Sequence, residues 1–355
     1  MGCEVDYSAS AAARRVIAGL GRTEDVQFSP SNRRLAVAAF NANRIAVFEV
    51  TVARSAGKPE VVLDGVVEIE AASLKGPHGL CFVDDDTLVV ANREGSVELL
   101  GVPSGSAAGE GSALRRRTIL GGAPGPIITP GSVAAATLAD GTIELLVCNN
   151  YIHSVTRHVL DPRSDFAATS DETLLQRGLD VPDGISFSPD GRWLAVSNHS
   201  THSVLLYDRS RRLGPEREPD GVLRNVLCPH GVRFTFDDEF VLVADAAARY
   251  VNVYKKDGET WHGTRDPVRL FAVMAPETFA RGRHNPKEGG PKGIDISKGT
   301  NVLVATSEFQ TLAFYDVADV VRVAEAPENR HSRYLRWRLA EAIFNRLGYM
   351  ARFPA

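Results

Sequence analysis

The chain has little cysteine and no long hydrophobic run. Four cysteines occur among 355 residues, and their positions show no paired spacing. Cys81 and Cys148 lie inside apolar segments, which is typical of buried, reduced thiols rather than of a disulfide framework. No stretch approaches the roughly 20 apolar residues that a transmembrane helix needs. The N-terminus has early acidic residues and no apolar core, so it does not read as a secretory signal. We therefore expect a cytoplasmic protein without an integral membrane segment.

Several functional motifs are missing as well. The sequence contains no glycine-rich phosphate loop and no cysteine-rich metal motif. The nucleophile motif Gly-x-Ser-x-Gly is absent at any strand-to-helix turn, which argues against a serine hydrolase. The net charge of −4 gives no general attraction to nucleic acid, so no nucleic-acid partner is expected. These absences exclude several classes of protein but do not identify a reaction.

What the sequence does contain is a repeat of short strands. Six segments open in the same way, and four of them place a polar residue directly before glycine. Successive openings are 47 to 62 residues apart. A repeat of about 50 residues built from short strands is typical of a β-propeller, with one blade for each repeat. The openings are at Glu24, His78, Gly131, Asp183, His230 and Lys292.

Runs of β-branched residues broken by turn residues predict the strands of each blade. Blade four, for example, is predicted as Ile185–Ser188, Trp193–Ser197 and Ser203–Tyr207 followed by an outer strand. The sixth blade has no good outer strand of its own. We predict that the N-terminal segment Arg14–Leu20 supplies it, because this closes the ring and removes an exposed edge. The predicted fold is all-β: a six-bladed β-propeller of four-stranded blades, with the N-terminal strand closing the last blade and a C-terminal α-helix appended.

Two segments lie outside the repeat. Residues 274–291 form a long connection with several basic residues, which is either functional or a solvated insertion. Glu328–Gly348 has the leucine spacing of a helix, which would dock on the propeller, form a homodimer or partner contact, or lie on a membrane surface. We predict a propeller over residues 13–318 and a helical tail over residues 319–355.

The polar residues of the openings are predicted to meet at the mouth of the central channel. The inner strand of every blade starts at the same face of the disc, so all openings converge there. A glycine after the polar residue would permit a tight backbone turn. Turn chemistry alone does not require histidine, which favours a functional role. A funnel of this composition is a candidate small-molecule site, with predicted catalytic residues His78, Asp183, His230 and Lys292.

The end of the second strand of each blade returns to the same face and forms a wider ring. Asparagine or aspartate at this place often caps the turn with its own side chain, and that alternative remains open. Otherwise these residues would contact the substrate, with Arg93 or Lys292 holding an anionic group. The predicted substrate-binding residues are Asn92, Arg93, Asn149, Asn150, Asn198, His199, Asp245 and Glu308.

Imidazole and carboxylate groups at the channel mouth could also bind a divalent metal. Its predicted ligands are Glu24, His78, Asp183 and His230, and zinc, calcium or manganese is the expected ion. Such an ion would polarise a carbonyl group or lower the pKa of bound water. Lys292 argues partly against a metal, since an ammonium group beside a cation costs energy.

The segments PHGLCF, LVVANREGSVELL, PDGISFSPDGRWLAVSN and PHGVRF resemble the six-bladed propellers of the NHL-repeat and gluconolactonase (regucalcin-like) superfamily. The resemblance covers about residues 13–316 and is more specific for the fold than for the reaction. In gluconolactonases, residues opening blades one, four and five hold a divalent metal, and the matching positions in this chain are Glu24, Asp183 and His230. Only the first is the residue that the family uses.

The resemblance extends to the amidating lyases of the same superfamily in a different way. Those enzymes place histidines of Pro-His triplets around zinc, a style that His78 and His230 match, with Arg93 in the corresponding second-strand turn. The third histidine is missing, and Asp183 would have to stand in for it. The resemblance thus implies an enzyme but leaves its metal and its reaction open.

Three functions therefore remain open. The first is a metal-dependent enzyme acting on a small molecule, most simply a hydrolase of a lactone or related ester, with a lyase as a variant. The second is a non-catalytic propeller that binds a ligand or a partner protein, because fold does not decide function. The third is a metal-free isomerase or lyase that uses His78 and His230 as acid and base. Metal content would separate the first from the other two.

Overall fold

The computed structural model describes residues 4–103, 115–120, 125–282 and 288–322. Its strands form six small sheets arranged as the blades of a propeller. The predicted six-bladed β-propeller is therefore confirmed. The predicted helix Glu328–Gly348 lies outside the described residues, and a partner contact through it stays a prediction, as does the division of the chain at residue 318. A short helix, Val317–Val321, follows the last strand of the ring.

Four blades consist of four antiparallel strands, which are ordered below from the channel to the rim. Blade two contains Pro77–Asp84, Thr87–Asn92, Val97–Gly101 and Arg115–Leu120. Blade three contains Pro130–Thr137, Ile143–Asn149, Ser154–Asp161 and Ala167–Leu175. Blade five contains Pro229–Phe234, Phe240–Asp245, Tyr250–Lys255 and Arg269–Ala272. Blade six contains Ile294–Ile296, Val302–Ala305, Ala313–Asp316 and Glu4–Val5.

Blades one and four have a fifth strand at the rim, which runs parallel to its neighbour. Blade one contains Thr23–Phe28, Arg34–Ala39, Arg44–Ser55, Lys58–Glu70 and Tyr7–Ala9. Blade four contains Pro182–Phe187, Trp193–Asn198, Ser203–Asp208, Gly221–Leu223 and Gly263–Arg265. The added strand of blade four comes from the chain of blade five. These additions tie neighbouring blades together at the rim.

The N-terminus closes the ring, but not with the predicted segment. Glu4 pairs with Tyr315 and Val5 with Phe314, so the strand Glu4–Val5 completes blade six. Arg14–Leu20 was expected there, and that assignment is wrong because these residues belong to the helix Ala11–Gly19 and its C-terminal cap. The Ser10 side chain caps this helix by accepting a hydrogen bond from the Ala13 amide at 3.2 Å. The apolar residues of the segment pack against the core from a helix instead of from a strand.

The core is divided among the interfaces between blades. Phe48 of blade one packs with Val304 and Phe314 of blade six, and the other interfaces are built in the same way. Cys81, Cys148 and Cys228 are buried and unpaired, as predicted for the first two. In the part of the chain that the structure describes, no helix combines the length and the apolar character needed to cross a membrane. The cytoplasmic location stays a prediction.

The remaining helical elements are short. The helix Pro276–Arg281 lies in the connection after blade five. Single 3₁₀ turns occur at Asn150–Ile152, Pro162–Ser164 and His199–Thr201. Two of these turns directly follow the second strands of blades three and four, so they lie where the wider ring was predicted.

Glycines at the openings allow neighbouring inner strands to approach closely. A Cβ atom on Gly184 would lie 2.1 Å from the carbonyl oxygen of His230 in the next blade. One on Gly79 would lie 2.5 Å from the Cα atom of Ser132, again in the next blade. None of the openings places its glycine in the left-handed region. The prediction that these glycines permit a tight turn is therefore wrong: their role is to keep the channel wall free of side chains where backbones touch.

Replacement of Gly184 by alanine tests this packing. The added methyl group would overlap the backbone of His230, which cannot move as a flexible side chain could. We expect Gly184→Ala to lower the free energy of unfolding by about 3 kcal/mol, the upper part of the range for overpacking. Gly214→Ala is the matched control, because no atom lies within 4 Å of a Cβ atom at that position. Urea unfolding measures both, and equal stabilities of the two variants would contradict the packing argument.

Candidate functional site at the channel mouth

The residues at five of the six openings lie in β-bulges, and Lys292 at the sixth lies just before the strand Ile294–Ile296. In blade two, Pro77 pairs with Asn92 and Gly79 with Ala91, so His78 is an extra residue in the inner strand. The same shift of register occurs at the openings of blades one, three, four and five. A bulge interrupts the ladder locally and redirects a side chain. In these blades the bulge directs the polar side chain away from the blade and into the channel mouth.

The five charged or imidazole-bearing openings do converge there. The side chains of this mouth cluster lie within hydrogen-bond or ion-pair distance of one another, and each residue is only 3–6% exposed. The Lys292 Nζ atom lies 3.3 Å from Glu24 Oε2, and His78 Nε2 lies 3.5 Å from the same oxygen. Their roles in catalysis stay predictions, but their meeting is a feature of the structure. The mouth cluster consists of Glu24, His78, Asp183, His230 and Lys292.

Blade three has glycine at its opening, and Asn150 fills the gap. A Cβ atom on Gly131 would lie 1.8 Å from Asn150 Oδ1, so any side chain at this position would displace the asparagine. The Asn150 amide nitrogen donates a hydrogen bond of 2.6 Å to Asp183 Oδ1. Asn150 thus enters the mouth cluster from the second-strand end of its own blade. Of the asparagines predicted in the wider ring, it is the one that contacts the mouth cluster.

His78 is held as a neutral imidazole. Its Nδ1 atom lies 2.7 Å from the carbonyl oxygen of Gly131 and must donate, because a carbonyl oxygen only accepts. Its Nε2 atom then accepts a hydrogen bond of 2.5 Å from Arg93 Nη2. Burial, followed by the positive charge of Arg93, lowers the pKa of His78 to about 4. Both ring nitrogens are therefore occupied by protein partners.

Arg93 connects His78 to Asp183 and retains an unused donor. Its Nη2 atom also lies 3.3 Å from Asp183 Oδ1. Its Nη1 atom is buried and has no hydrogen-bond partner among the described residues. The guanidinium carbon lies 5.6 Å from the ring centre of Tyr151, a residue that is 60% exposed. Arg93 therefore reaches the mouth cluster and has a donor left for a ligand, while its predicted contact with the substrate stays a prediction.

Asp183 and His230 form an oriented carboxylate–imidazole pair. The His230 Nδ1 atom lies 3.2 Å from Asp183 Oδ2. Burial alone would raise the pKa of Asp183, but the neighbouring imidazoles and Arg93 lower it well below its usual value. The carboxylate is therefore ionised and favours a proton on Nδ1 of His230. The other nitrogen, Nε2, is buried and has no hydrogen-bond partner among the described residues.

Lys292 is neutralised by two carboxylates. Besides Glu24 it contacts Glu288, with 2.6 Å between Nζ and Oε2. Burial would raise the pKa of Glu24, but Lys292 and the neighbouring imidazoles and arginine lower it to about 2. Burial would lower the pKa of Lys292, but the two carboxylates raise it above its usual value. Lys292 and its partners are therefore charged across the ordinary pH range.

Glu288 is the site residue that sequence reasoning missed. It belongs to the connection 274–291, for which a functional role and a solvated insertion were both left open and only the basic residues were considered. Its Oε1 atom lies 3.1 Å from His199 Nε2 and 3.9 Å from His230 Nε2. Burial opposes protonation of His199, but contacts with Cys228 and Glu288 raise its pKa well above the usual value. The signal available in the sequence was an acidic residue four positions before Lys292.

Most of the other residues of the predicted wider ring accept hydrogen bonds from backbone amides of neighbouring loops. Asn92 Oδ1 accepts a hydrogen bond from the Lys75 amide at 3.2 Å, and Asn198 Oδ1 accepts one from the Asp180 amide at 2.6 Å. Asn149 and Asp245 bind backbone amides in the same way. These amides belong to the loop before the inner strand of the same blade, while Asp245 also accepts a hydrogen bond from the Ala247 amide of its own turn at 3.2 Å. The turn-capping alternative and substrate contact by these residues both stay predictions. Glu308 is half-buried after the second strand of blade six.

The four predicted metal ligands do not fit a metal as they are arranged. His78 has no free nitrogen, Arg93 bonds to Asp183, and Lys292 lies against Glu24. A different group fits better: one ligand atom each from His199, His230 and Glu288, all within 4.8 Å of one another. It shares only His230 with the predicted set.

A cleft of about 760 Å³ lies apart from the channel and carries several arginines. Several of these charges are paired: Arg157 donates to Glu144 at 2.6 Å, and Arg217 contacts Asp220 at 2.6 Å. The Arg217 Nε atom is buried without a hydrogen-bond partner among the described residues, but no imidazole group is among the residues that line the cleft. We therefore regard the mouth cluster as the candidate functional site.

The pKa of His78 provides a test of the mouth geometry. Its low value in the folded state means that the unfolded chain binds more protons between about pH 4 and 6.5. The contribution of His78 to stability is therefore present above this window and is lost as the pH falls through it.

We expect Arg93→Gln to raise the pKa of His78 by removing a neighbouring positive charge. Arg93→Lys, which retains the charge, should change it much less. Nuclear magnetic resonance titration of the histidine rings measures the shift, and an unchanged pKa in Arg93→Gln would contradict the arrangement.

Comparisons with known proteins identify the fold. No protein-family model matches the chain, and no curated protein does. A functionally unknown protein from Desulfotomaculum acetoxidans DSM 771 is similar in structure, with a TM-score of 0.52, 16% identity, and coverage of 85% of this chain and 86% of that one. A protein from Bacteroides uniformis ATCC 8492, provisionally named a 6-phosphogluconolactonase, has a TM-score of 0.52, 14% identity, and coverage of 82% and 80%. At these identities the similarity shows the fold alone, and membership of the NHL-repeat and gluconolactonase superfamily stays a prediction.

Proposed function

We propose that the protein is an enzyme that hydrolyses a small lactone or related ester at the channel mouth. The observation that carries this proposal is the buried Asp183–His230 pair, in which the Nε2 atom of His230 has no hydrogen-bond partner among the described residues. A buried polar atom without a partner costs about 1–3 kcal/mol, so its retention favours a ligand or a reacting water at that place. The provisional lactonase name of one structural neighbour is compatible with this reaction class.

His230 is the residue on which activation of the attacking water depends. Asp183 holds the imidazole ring and favours the tautomer with its proton on Nδ1. The lone pair on Nε2 is then directed away from Asp183 and is available to a water molecule in the channel mouth. Because Asp183 stays ionised, the orientation of His230 is maintained across the pH range in which lactones and esters are stable enough to be assayed.

Arg93 is suited to stabilise the negative charge that develops on the carbonyl oxygen of the substrate. Water adds to the carbonyl carbon, the carbon–oxygen bond of the ester breaks, and the products are a carboxylate, an alcohol group and a proton. Negative charge develops on the carbonyl oxygen during this addition, and a fixed cationic donor stabilises it. The buried Nη1 atom of Arg93 is such a donor. Its other amino group is already fixed by His78 and Asp183.

For Lys292 we propose a positioning role in place of the predicted contact with an anionic substrate group. Its charge is balanced by Glu24 at 3.3 Å and Glu288 at 2.6 Å, so little of it remains for an anionic substrate. We assign Lys292 as a positioning residue that holds the two carboxylates in place. Buried charges that are fixed in this way need no reorganisation during a reaction, which is the basis of electrostatic preorganisation.

Hydrolysis of a panel of five- and six-membered lactones and of p-nitrophenyl esters tests the proposal. We expect His230→Gln to lower kcat/KM about 10²–10⁴-fold, the range of general acid–base catalysis. Asp183→Asn should lower it as well, because the amide cannot stabilise the same tautomer. His262→Gln is the matched control, since His262 also lies beside an aspartate, 4.0 Å from Asp208, but its Trp193 and Asp208 neighbours place it away from the mouth cluster.

Two results would contradict the proposal. One is the absence of activity on every lactone and ester in the panel, with the folded state intact by circular dichroism. The other is activity that survives unchanged in His230→Gln, which would place the reaction elsewhere. A ligand-induced rise in thermal stability without turnover would instead favour the non-catalytic binding protein.

A further inference from the structure

We propose that His199, His230 and Glu288 form a zinc site at the edge of the mouth cluster. This inference rests on the proposed function and changes one part of it: the lone pair of His230 Nε2 would bind zinc instead of accepting a proton from the water, and the water would be activated by coordination. It differs from the set that the family resemblance implies, because two of its three ligands lie outside the matching openings. It also gives a role to Glu288, a residue of the connection between blades five and six.

The spacing of the three groups is close to that of a metal-binding set. Their candidate ligand atoms all lie within 4.8 Å of one another, and no other such group of three or more occurs among the described residues. The Oε1 atom of Glu288 lies 3.1 Å from His199 Nε2 and 3.9 Å from His230 Nε2. Zinc bonds of about 2.0–2.1 Å in a tetrahedral shell place neighbouring ligand atoms about 3.3 Å apart. Only a small closure would therefore be required.

A second observation points to a ligand at this place. His230 is 4% exposed, and its Nε2 atom has no hydrogen-bond partner among the described residues. On the opposite side of the ring, Nδ1 lies 3.2 Å from Asp183 Oδ2. A carboxylate behind a histidine is the usual support for a metal ligand, since it fixes the tautomer and increases the basicity of the coordinating nitrogen. Asp183 would thus be the supporting residue rather than a ligand.

The Lys292 ammonium group opposes a cation here as it does beside Glu24, but it contacts only one oxygen of Glu288. Lys292 contacts Oε2 of Glu288 at 2.6 Å and leaves Oε1 on the side of the histidines. Two imidazoles and one carboxylate form a donor set that suits zinc, whereas calcium prefers oxygen ligands alone. When bound, zinc would supply Lewis-acid chemistry, which polarises a carbonyl group and lowers the pKa of coordinated water. Arg93 would keep its separate contact with the substrate.

Metal uptake by the full chain tests the inference without an activity assay. Protein purified without a histidine tag is stripped with chelator, incubated with zinc, desalted and analysed by mass spectrometry for metal. We expect one zinc ion per chain. His199→Ala, His230→Ala and Glu288→Gln should each weaken zinc binding at least 100-fold, and Asp183→Asn about 10–100-fold, as for other supporting residues. Cobalt in place of zinc should give the visible spectrum of a four- or five-coordinate ion.

Two further variants separate this site from the alternatives. Glu24→Gln should retain zinc, whereas the set predicted from the resemblance would lose it. His262→Gln should also retain zinc and controls for adventitious binding by a histidine near carboxylates. His199→Gln accompanies His199→Ala in case the alanine variant does not fold, with circular dichroism as the check.

The inference would be overturned by a chain that takes up no zinc, or by zinc that is retained in Glu288→Gln and lost in Glu24→Gln. In the first case, His199 and Glu288 form an ion pair and nothing more. The experiments distinguish a failure of the zinc site from a failure of the proposed hydrolysis. Stoichiometric zinc without lactone or ester hydrolysis would remove the reaction but keep the site, and full hydrolysis by metal-free protein would keep the reaction but remove the role of zinc.

Discussion

The approach of six inner strands around a narrow channel is the constraint on which the rest of the structure depends. Side chains at the touching positions would collide with backbone atoms of the next blade, as the 2.1 Å distance from a Cβ atom on Gly184 to the His230 carbonyl oxygen shows. Glycine at this place allows the contact, and the bulge directly before it turns the preceding side chain into the mouth. The residues that can be chemically active are therefore placed by the same packing that holds the ring together.

The result is a dense group of buried charges that hydrophobic packing alone would not produce. Burial of an ion pair costs desolvation free energy, and replacement of such pairs by apolar residues is often neutral or stabilising. Lys292 nevertheless contacts both Glu24 and Glu288, and the Nε2 atom of His230 has no hydrogen-bond partner among the described residues. In our account this arrangement is maintained for binding and catalysis rather than for stability, which is the common pattern for buried polar groups at functional sites.

The repeat and the meeting of the polar openings at the channel mouth could be predicted from the sequence, while the pairing of the side chains could not. A polar residue followed by glycine recurs in four blades, where inner strands touch in the same way, so the spacing of the openings locates the mouth. The role of the glycines was misread, because a turn and a backbone contact require the same residue. Arg14–Leu20 was misread because its apolar residues suit either a strand or a helix, and the cap at Ser10 decides between them. Glu288 and the place of Asn150 beside Gly131 depend on contacts between segments far apart in sequence, which no local pattern records.

The most direct measurement of the central claim is the stability of a chain in which Lys292 and both of its carboxylate partners are replaced by apolar residues of similar size. In the triple variant Glu24→Met, Glu288→Met, Lys292→Met, the ammonium group and the two carboxylates are removed together, so none of the three charges is left buried without its partner. With chelator present throughout, urea unfolding compares its free energy of unfolding with that of the unmodified chain. If the mouth cluster is kept for function, the variant will be as stable as the unmodified chain or more stable by about 1–4 kcal/mol. A loss of several kcal/mol would show that the charges hold the ring together, and the account of the mouth as a functional site maintained at a cost in stability would be wrong.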